Sequence, residues 1–462
     1  MAKNITRRAA IKAMVAGGAG IAAGTSLLTS CKSKANNAPA TTYVPAEKTS
    51  DKIVRREWAS VGETVGLLGL GCMRLPQVSG QRGRLDQPKV NEMVDYSLSK
   101  GINYFDTAPA YGDSERAMGE ALSRHDRSSY LLATKMSNFS AGADEQGLAV
   151  SKAMFENSLK NLKTDYFDFF LCHNLANVDA FNRRFVENGV FEYLQGLKAA
   201  GKIRHLGFSF HGSNKDMEDI LALPVEWDFV QIQMNYFDWK DMPLGGRGGS
   251  DQKCDAETLY NMITAKNIPV IVMEPIRGGA LANVNPAFAE RFEAVRPDLS
   301  PAGMALSFAA SWPGVMCVLS GMSNMDQLTE NVDTFRDFVP LTEDINEMLY
   351  DVARVWKANP VIGCTACSYC MPCPNGLNIP GNFKVYDTCS GELNLPDPDG
   401  PHDKEYKQKR KIFLNRYNKS LQETEKAYNC TKCNVCVSKC PQRIRIPDQL
   451  QTIADLVKKL EA

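Results

Sequence analysis

Eight of the fourteen cysteines fall into two tight runs: Cys364, Cys367, Cys370 and Cys373, followed by Pro374, and Cys430, Cys433, Cys436 and Cys440, followed by Pro441. The second run has the C-x2-C-x2-C-x3-C-P spacing in which three thiolates hold one iron–sulfur cluster and the fourth ligates another. Redox chemistry is therefore the first expectation. Structural zinc is the alternative, but a tetrahedral ion needs only two C-x-x-C pairs, and each run here has four cysteines and a closing proline. The first run has two residues rather than three before its last cysteine, which leaves open one [4Fe-4S] cluster or two. Cys389, between the runs, reads as a buried thiol rather than a spare ligand.

These thiolates need a scaffold, and 462 residues exceed one compact core, so a large domain with a smaller one is expected. Lys plus Arg and Asp plus Glu both number 53, so no basic excess points to nucleic acid as a partner. Cys31, Cys72, Cys172, Cys254 and Cys317 are scattered singly, unlike a disulfide framework.

The segment Thr6-Arg7-Arg8-Ala9-Ala10-Ile11-Lys12 resembles a twin-arginine export signal, and Leu28-Thr29-Ser30-Cys31 resembles a lipobox. Residues 1–30 are thus expected to be a signal peptide and residues 31–52 a flexible tether, with Cys31 lipid-modified as a membrane anchor on the periplasmic side of the cell envelope. A cytoplasmic protein with a chance Arg-Arg pair is the alternative. Clusters are assembled where thiols stay reduced, which suits export of an already folded chain.

From residue 61 to 356, short apolar runs alternate with amphipathic stretches. Strands are expected at 65–70, 104–106, 130–134, 167–171, 203–209, 229–234, 270–274 and 315–319. Helices are expected between them, at 89–99, 114–123, 151–162, 191–199 and 256–266 among others. Eight strand–helix units fit a (β/α)8 barrel over residues 53–357, followed by a small, mainly helical iron–sulfur domain over 358–462. A doubly wound sheet is the runner-up, but G-x-G-x-x-G is absent after the first strand. Barrel chemistry gathers at the C-terminal strand ends, where Asp106, Tyr111, Lys135 and His173 fall.

At these positions the chain resembles the aldo/keto reductase family. The segments are Asn103-Tyr104-Phe105-Asp106-Thr107-Ala108-Pro109-Ala110-Tyr111-Gly112, Ala133-Thr134-Lys135, Leu171-Cys172-His173, Gly207-Phe208-Ser209, Gln231, Glu274-Pro275-Ile276-Arg277-Gly278-Gly279, and Gly321 with Glu330-Asn331. The resemblance covers residues 61–338, and the cysteine-rich tail is similar to the ferredoxin-like extension of one branch. It implies a nicotinamide cofactor, NADP or NAD, whose carboxamide meets Ser209 and Gln231 and whose pyrophosphate meets Arg277 and Gly278. Gly71, Met73, Arg74, Glu274 and Asn331 complete the implied cofactor site. Phe210 stands where many members have asparagine, with His211 a possible substitute, and Gly321 and Gln327 offer no cation for a 2′-phosphate.

Carbonyl reduction delivers hydride to carbon and a proton to oxygen. A free phenol is a weak acid with pKa about 10, which an ammonium lowers. Tyr111 is thus the expected general acid, Lys135 its activator, Asp106 the partner of Lys135, and His173 an aid to the carbonyl oxygen. The expected function is interconversion of a small-molecule carbonyl and alcohol, with clusters that exchange electrons with a redox partner protein or only fold the tail. The alternative is an electron-transfer protein on a barrel that no longer uses free nicotinamide. Helix is also expected at 403–426, and Trp58, Trp239 and Trp312 as pocket, core or rim residues.

Overall fold

The computed structural model describes residues 47–81, 83–242, 254–440, 442 and 444–462. The twin-arginine segment, the lipobox with Cys31, most of the tether and Pro441 lie outside the described residues. Among the described residues no helix is long and apolar enough to cross a membrane.

Eight parallel strands close a barrel: β3 (Leu68–Gly71), β4 (Tyr104–Asp106), β5 (Leu131–Met136), β6 (Phe167–Leu175), β7 (Ile203–Phe210), β8 (Val230–Gln233), β9 (Val270–Met273) and β10 (Val315–Ser320). Closure comes from β10 against β3, with Val318 opposite Leu68 and Ser320 opposite Leu70. Alternation sorts the side chains. Leu132, Phe170, Phe208, Val230 and Val272 face the outer helices, whereas Tyr104, Ala133, Phe169, Leu171, Ile271 and Leu319 fill the interior. Carrying that inward parity to the strand ends brings Asp106, Lys135, His173, Ser209 and Gln231 to one mouth. Gly69 is the inward residue of β3, and a Cβ there would lie 2.7 Å from Sγ of Cys317, so the interior admits no side chain at this point.

The expected strand at 65–70 is two strands. Glu63–Gly66 is β2, antiparallel to β1 (Arg55–Trp58), and β3 starts only at Leu68. One unbroken apolar run hides the change of partner, because a pairing switch leaves no mark on hydrophobicity. Trp58, Val61 and Val65 of this hairpin pack on the interior cluster. The strand expected at 167–171 runs on to Leu175, so His173 stands within β6 rather than beyond it. The helix expected at 151–162 is Glu145–Leu162, started by Asp144 accepting from the amide of Gly147.

Beyond the helix Glu343–Lys357, residues 358–378 carry the first cysteine run without regular structure. Helices Ile379–Gly391, Lys404–Ser420 and Ile446–Glu461 follow. The expected helix at 403–426 stops at Ser420 and gives way to short turns at Glu423–Glu425 and Ala427–Asn429. This tail has its own apolar cluster, including Phe383, Cys389, Phe413, Tyr417, Ile446 and Ile453. It sits on the barrel mouth through Gln442, whose Nε2 donates to Oε1 of Gln233 at 2.8 Å, and through Asn285, whose Nδ2 donates to the carbonyl of Glu392 at 2.8 Å. Gly278, with φ +64°, allows the closest approach: a Cβ there would fall 2.4 Å from the Thr365 carbonyl.

Candidate active site

One cavity of about 520 Å³ opens at the mouth of the barrel, and Asp106, Tyr111, Lys135 and His173 all line it. Lys135 is almost fully buried, with Nζ 2.6 Å from Oδ1 of Asp106 and 2.7 Å from the carbonyl of Thr107. Burial pushes the carboxyl up and the ammonium down, and each charge offsets the other's penalty. The ammonium lies 4.9 Å from the centroid of the Tyr111 ring. His173 meets that ring edge-on at 5.9 Å, with Nδ1 2.6 Å from Oγ of Ser137. Nη2 of Arg184 donates to the His173 carbonyl at 2.8 Å and fixes the backbone behind the ring.

Electrostatics departs from the sequence-based expectation in one respect. Burial, with Tyr369 and Asp106 nearby, holds the Tyr111 phenol well above its ordinary range rather than below it. The proton therefore stays on Tyr111 at neutral pH. Burial and the charges of Lys135 and Arg184 hold His173 well below the usual imidazole range, so it is neutral.

The residues expected around a cofactor divide in two. Gly71, Met73, Arg74, Ser209, Gln231, Glu274, Gly278 and Asn331 line the cavity. Arg277 does not. Its Nε donates to Oδ2 of Asp238 at 2.9 Å, both side chains are buried, and the guanidinium lies 4.4 Å from the Phe237 ring centroid. The structure thus pairs Arg277 with Asp238 and leaves it off the cavity wall where the expected pyrophosphate contact would lie. Oε1 of Gln231 is buried without a partner, and Oγ of Ser209 accepts from the amide of Asn174 at 2.8 Å. An orphaned amide oxygen on the cavity wall is what a carboxamide N–H would satisfy. His211, Gly321 and Gln327 also line the cavity. Trp239 and Trp312 stack at 4.1 Å away from it, in the core.

Burial lowers His211 to about 4, against about 6.5 in an unfolded chain. Above pH 6.5 both states are neutral and the group costs nothing. As pH falls from 6.5 toward 4 the unfolded chain takes up the proton first, so stability is lost. We expect a loss of about 2 kcal/mol at pH 5 relative to pH 7 from this group. His211→Gln should flatten that part of the profile in anaerobic urea unfolding, and equal pH profiles for the two proteins would refute it.

Sequence reasoning missed the tail's contribution. Thr365, Cys367, Tyr369, Lys384 and Gln442 line the same cavity. Tyr369 sits inside the first cysteine run, and no spacing rule marks an aromatic there as facing another domain.

Around the thiols, Cys364, Cys367, Cys370 and Cys440 line a second, small cavity with Ile379, Phe383 and Ile444. The second run thus sends its last cysteine to the first run's group. Burial raises the Cys436 thiol, and Cys430, Cys433 and Cys373 lie close enough to add to that rise. Among the described residues no three His, Cys, Asp or Glu side chains are placed to hold one bare metal ion. Burial pushes the thiols of Cys367 and Cys370 up to about 12. Cys367 and Thr365 form a wall shared by both cavities.

A closed (β/α)8 barrel with a buried ammonium–carboxylate pair, a protonated phenol and a neutral imidazole at its C-terminal mouth defines an oxidoreductase. The aldo/keto reductase family model matches residues 67–353, and the chain belongs to that family. It is 27% identical to L-galactose dehydrogenase of Arabidopsis thaliana over 329 residues, covering 66% of this chain and 94% of that protein. It is 28% identical over 283 residues to the uncharacterized oxidoreductase YqkF of Bacillus subtilis, covering 57% and 85%. The fold matches an aldo-keto reductase from Klebsiella pneumoniae in complex with NADPH, at 20% identity and TM-score 0.50, covering 66% and 96%.

Proposed function

We propose that this protein interconverts a small-molecule carbonyl and an alcohol with a nicotinamide cofactor, NADP or NAD, and that its tail holds two [4Fe-4S] clusters. The observation that carries the first half is Lys135, held 2.6 Å from Asp106 beneath the ring of Tyr111, in the cavity that His173 also lines. A bound nicotinamide would supply or accept the hydride. Tyr111 keeps its proton until negative charge develops on the substrate oxygen, then gives it up. Lys135 stabilises the phenolate left behind, and Asp106 keeps Lys135 charged and aimed. His173, neutral and anchored by Ser137, orients the substrate oxygen. Gln231 and Ser209 would hold the carboxamide, with Gly278 allowing close approach of backbone to cofactor.

One cluster would be held by Cys364, Cys367, Cys370 and Cys440, and the other by Cys373, Cys430, Cys433 and Cys436. Clusters exchange single electrons, which fits exchange with a redox partner protein. The shared wall at Cys367 favours such a relay over a purely structural role. The electron-transfer reading without free nicotinamide predicts no stoichiometric NADH or NADPH binding by fluorescence. The export motif and lipobox add placement at the periplasmic face, tested by labelled fatty-acid incorporation at Cys31.

Anaerobic purification followed by iron, sulfide and zinc counts tests the tail, and mass analysis of the small molecule released on denaturation tests the barrel. About eight irons per chain are expected, and zinc in their place would refute the clusters. Cys440→Ser should remove about half of the iron, with the loss confined to one cluster by EPR. Full retention would contradict the crossed ligation.

A further inference from the structure

The Tyr369 ring enters the barrel's cavity from the tail. Its hydroxyl lies 3.1 Å from Nε2 of His173 and beside the Tyr111 phenol, where it helps keep that phenol protonated. Phe139 packs beside both rings, with centroids 6.1 Å from Tyr369 and 5.1 Å from His173. Tyr111 and His173 are the two groups that the carbonyl reading assigns to the substrate oxygen, so the oxygen they already serve is a side chain's own. Two oxygens cannot occupy one hydrogen-bonding position at contact distance.

We propose that Tyr369 holds the substrate-oxygen position while the site is empty, and that a substrate binds by displacing its hydroxyl, which makes this tail residue a determinant of specificity. The inference rests on the carbonyl reading of the site. Exchange of one pair of hydrogen bonds for another of the same kind gains little, so a substrate must draw its affinity from elsewhere in the cavity. His211, Lys384 and Gln442 also line the cavity and offer donors and acceptors there. The favoured class is therefore a carbonyl compound with further hydroxyl groups, and a bare aldehyde should compete poorly with Tyr369.

Tyr369→Phe keeps the ring and removes only the oxygen, leaving room for one. The full chain with its clusters, handled anaerobically, is titrated with ¹³C-labelled acetate as a small oxygen ligand, and His173→Leu identifies the site by loss of line broadening. Acetate should bind Tyr369→Phe about tenfold more tightly than the unaltered protein, and KM for 4-nitrobenzaldehyde with NADPH should fall by about the same factor. Acetate binding that is unchanged, weaker or undetectable in Tyr369→Phe overturns the proposal, whether or not the aldehyde is turned over. Tighter acetate binding with no aldehyde turnover by either protein counts against the carbonyl reading alone.

Discussion

Tyr111→Phe should lower turnover about a thousandfold while leaving nicotinamide affinity within about twofold. Removing one oxygen leaves the ring against His173 and the contact with Lys135 in place, so the cavity keeps its shape. What disappears is the proton held ready by a half-buried phenol. The cofactor contacts proposed at Ser209, Gln231 and Gly278 come from other strands and loops, which is why binding and turnover should separate. The measurement is NADPH oxidation with 4-nitrobenzaldehyde alongside fluorescence titration of NADPH. A loss below about tenfold would remove Tyr111 from the acid role.

Lys135→Met should be the most destabilising single change at the mouth, by about 3–5 kcal/mol at pH 8. Removing Lys135 leaves Asp106 with an uncompensated charge in a buried site, where Oδ2 already lacks a partner. Without its partner the Asp106 carboxyl is raised further above its unfolded value. A raised carboxyl stabilises the folded state only where it is protonated, so the defect should shrink as pH falls toward 5. Replacing both residues, Lys135→Met with Asp106→Asn, should recover most of the stability while turnover stays lost. Anaerobic unfolding at pH 8 and pH 5 checks this, and a double variant no more stable than the single one would show that the pair is not coupled.

Much of the barrel was legible because its signal is local. Apolar runs such as 104–106 and 203–209 mark strands, and the inward parity that carries Tyr104 to Asp106, or Leu171 to His173, fixes which residues reach the mouth. Contacts between distant segments were not legible. Arg277 beside two glycines looked like an anion site, yet Asp238, 39 residues away, takes it. Tyr369 lay unremarked inside a cysteine run although its hydroxyl bridges 196 residues to His173. The phenol of Tyr111 was expected to be acidified by Lys135, but its position depends on how much of the mouth the tail covers, which no local pattern carries.

The buried amide of Gln442 leads on through Gln233, whose own Nε2 donates to Asp238 at 2.7 Å, to the guanidinium of Arg277. Severing the chain after Lys357 would strip the Gln233 oxygen of its donor and unroof His173 at the same stroke. Barrel and cysteine-rich tail are thus not beads on a string: neither half is a faithful miniature of the whole, and a shortened barrel would report on a different site.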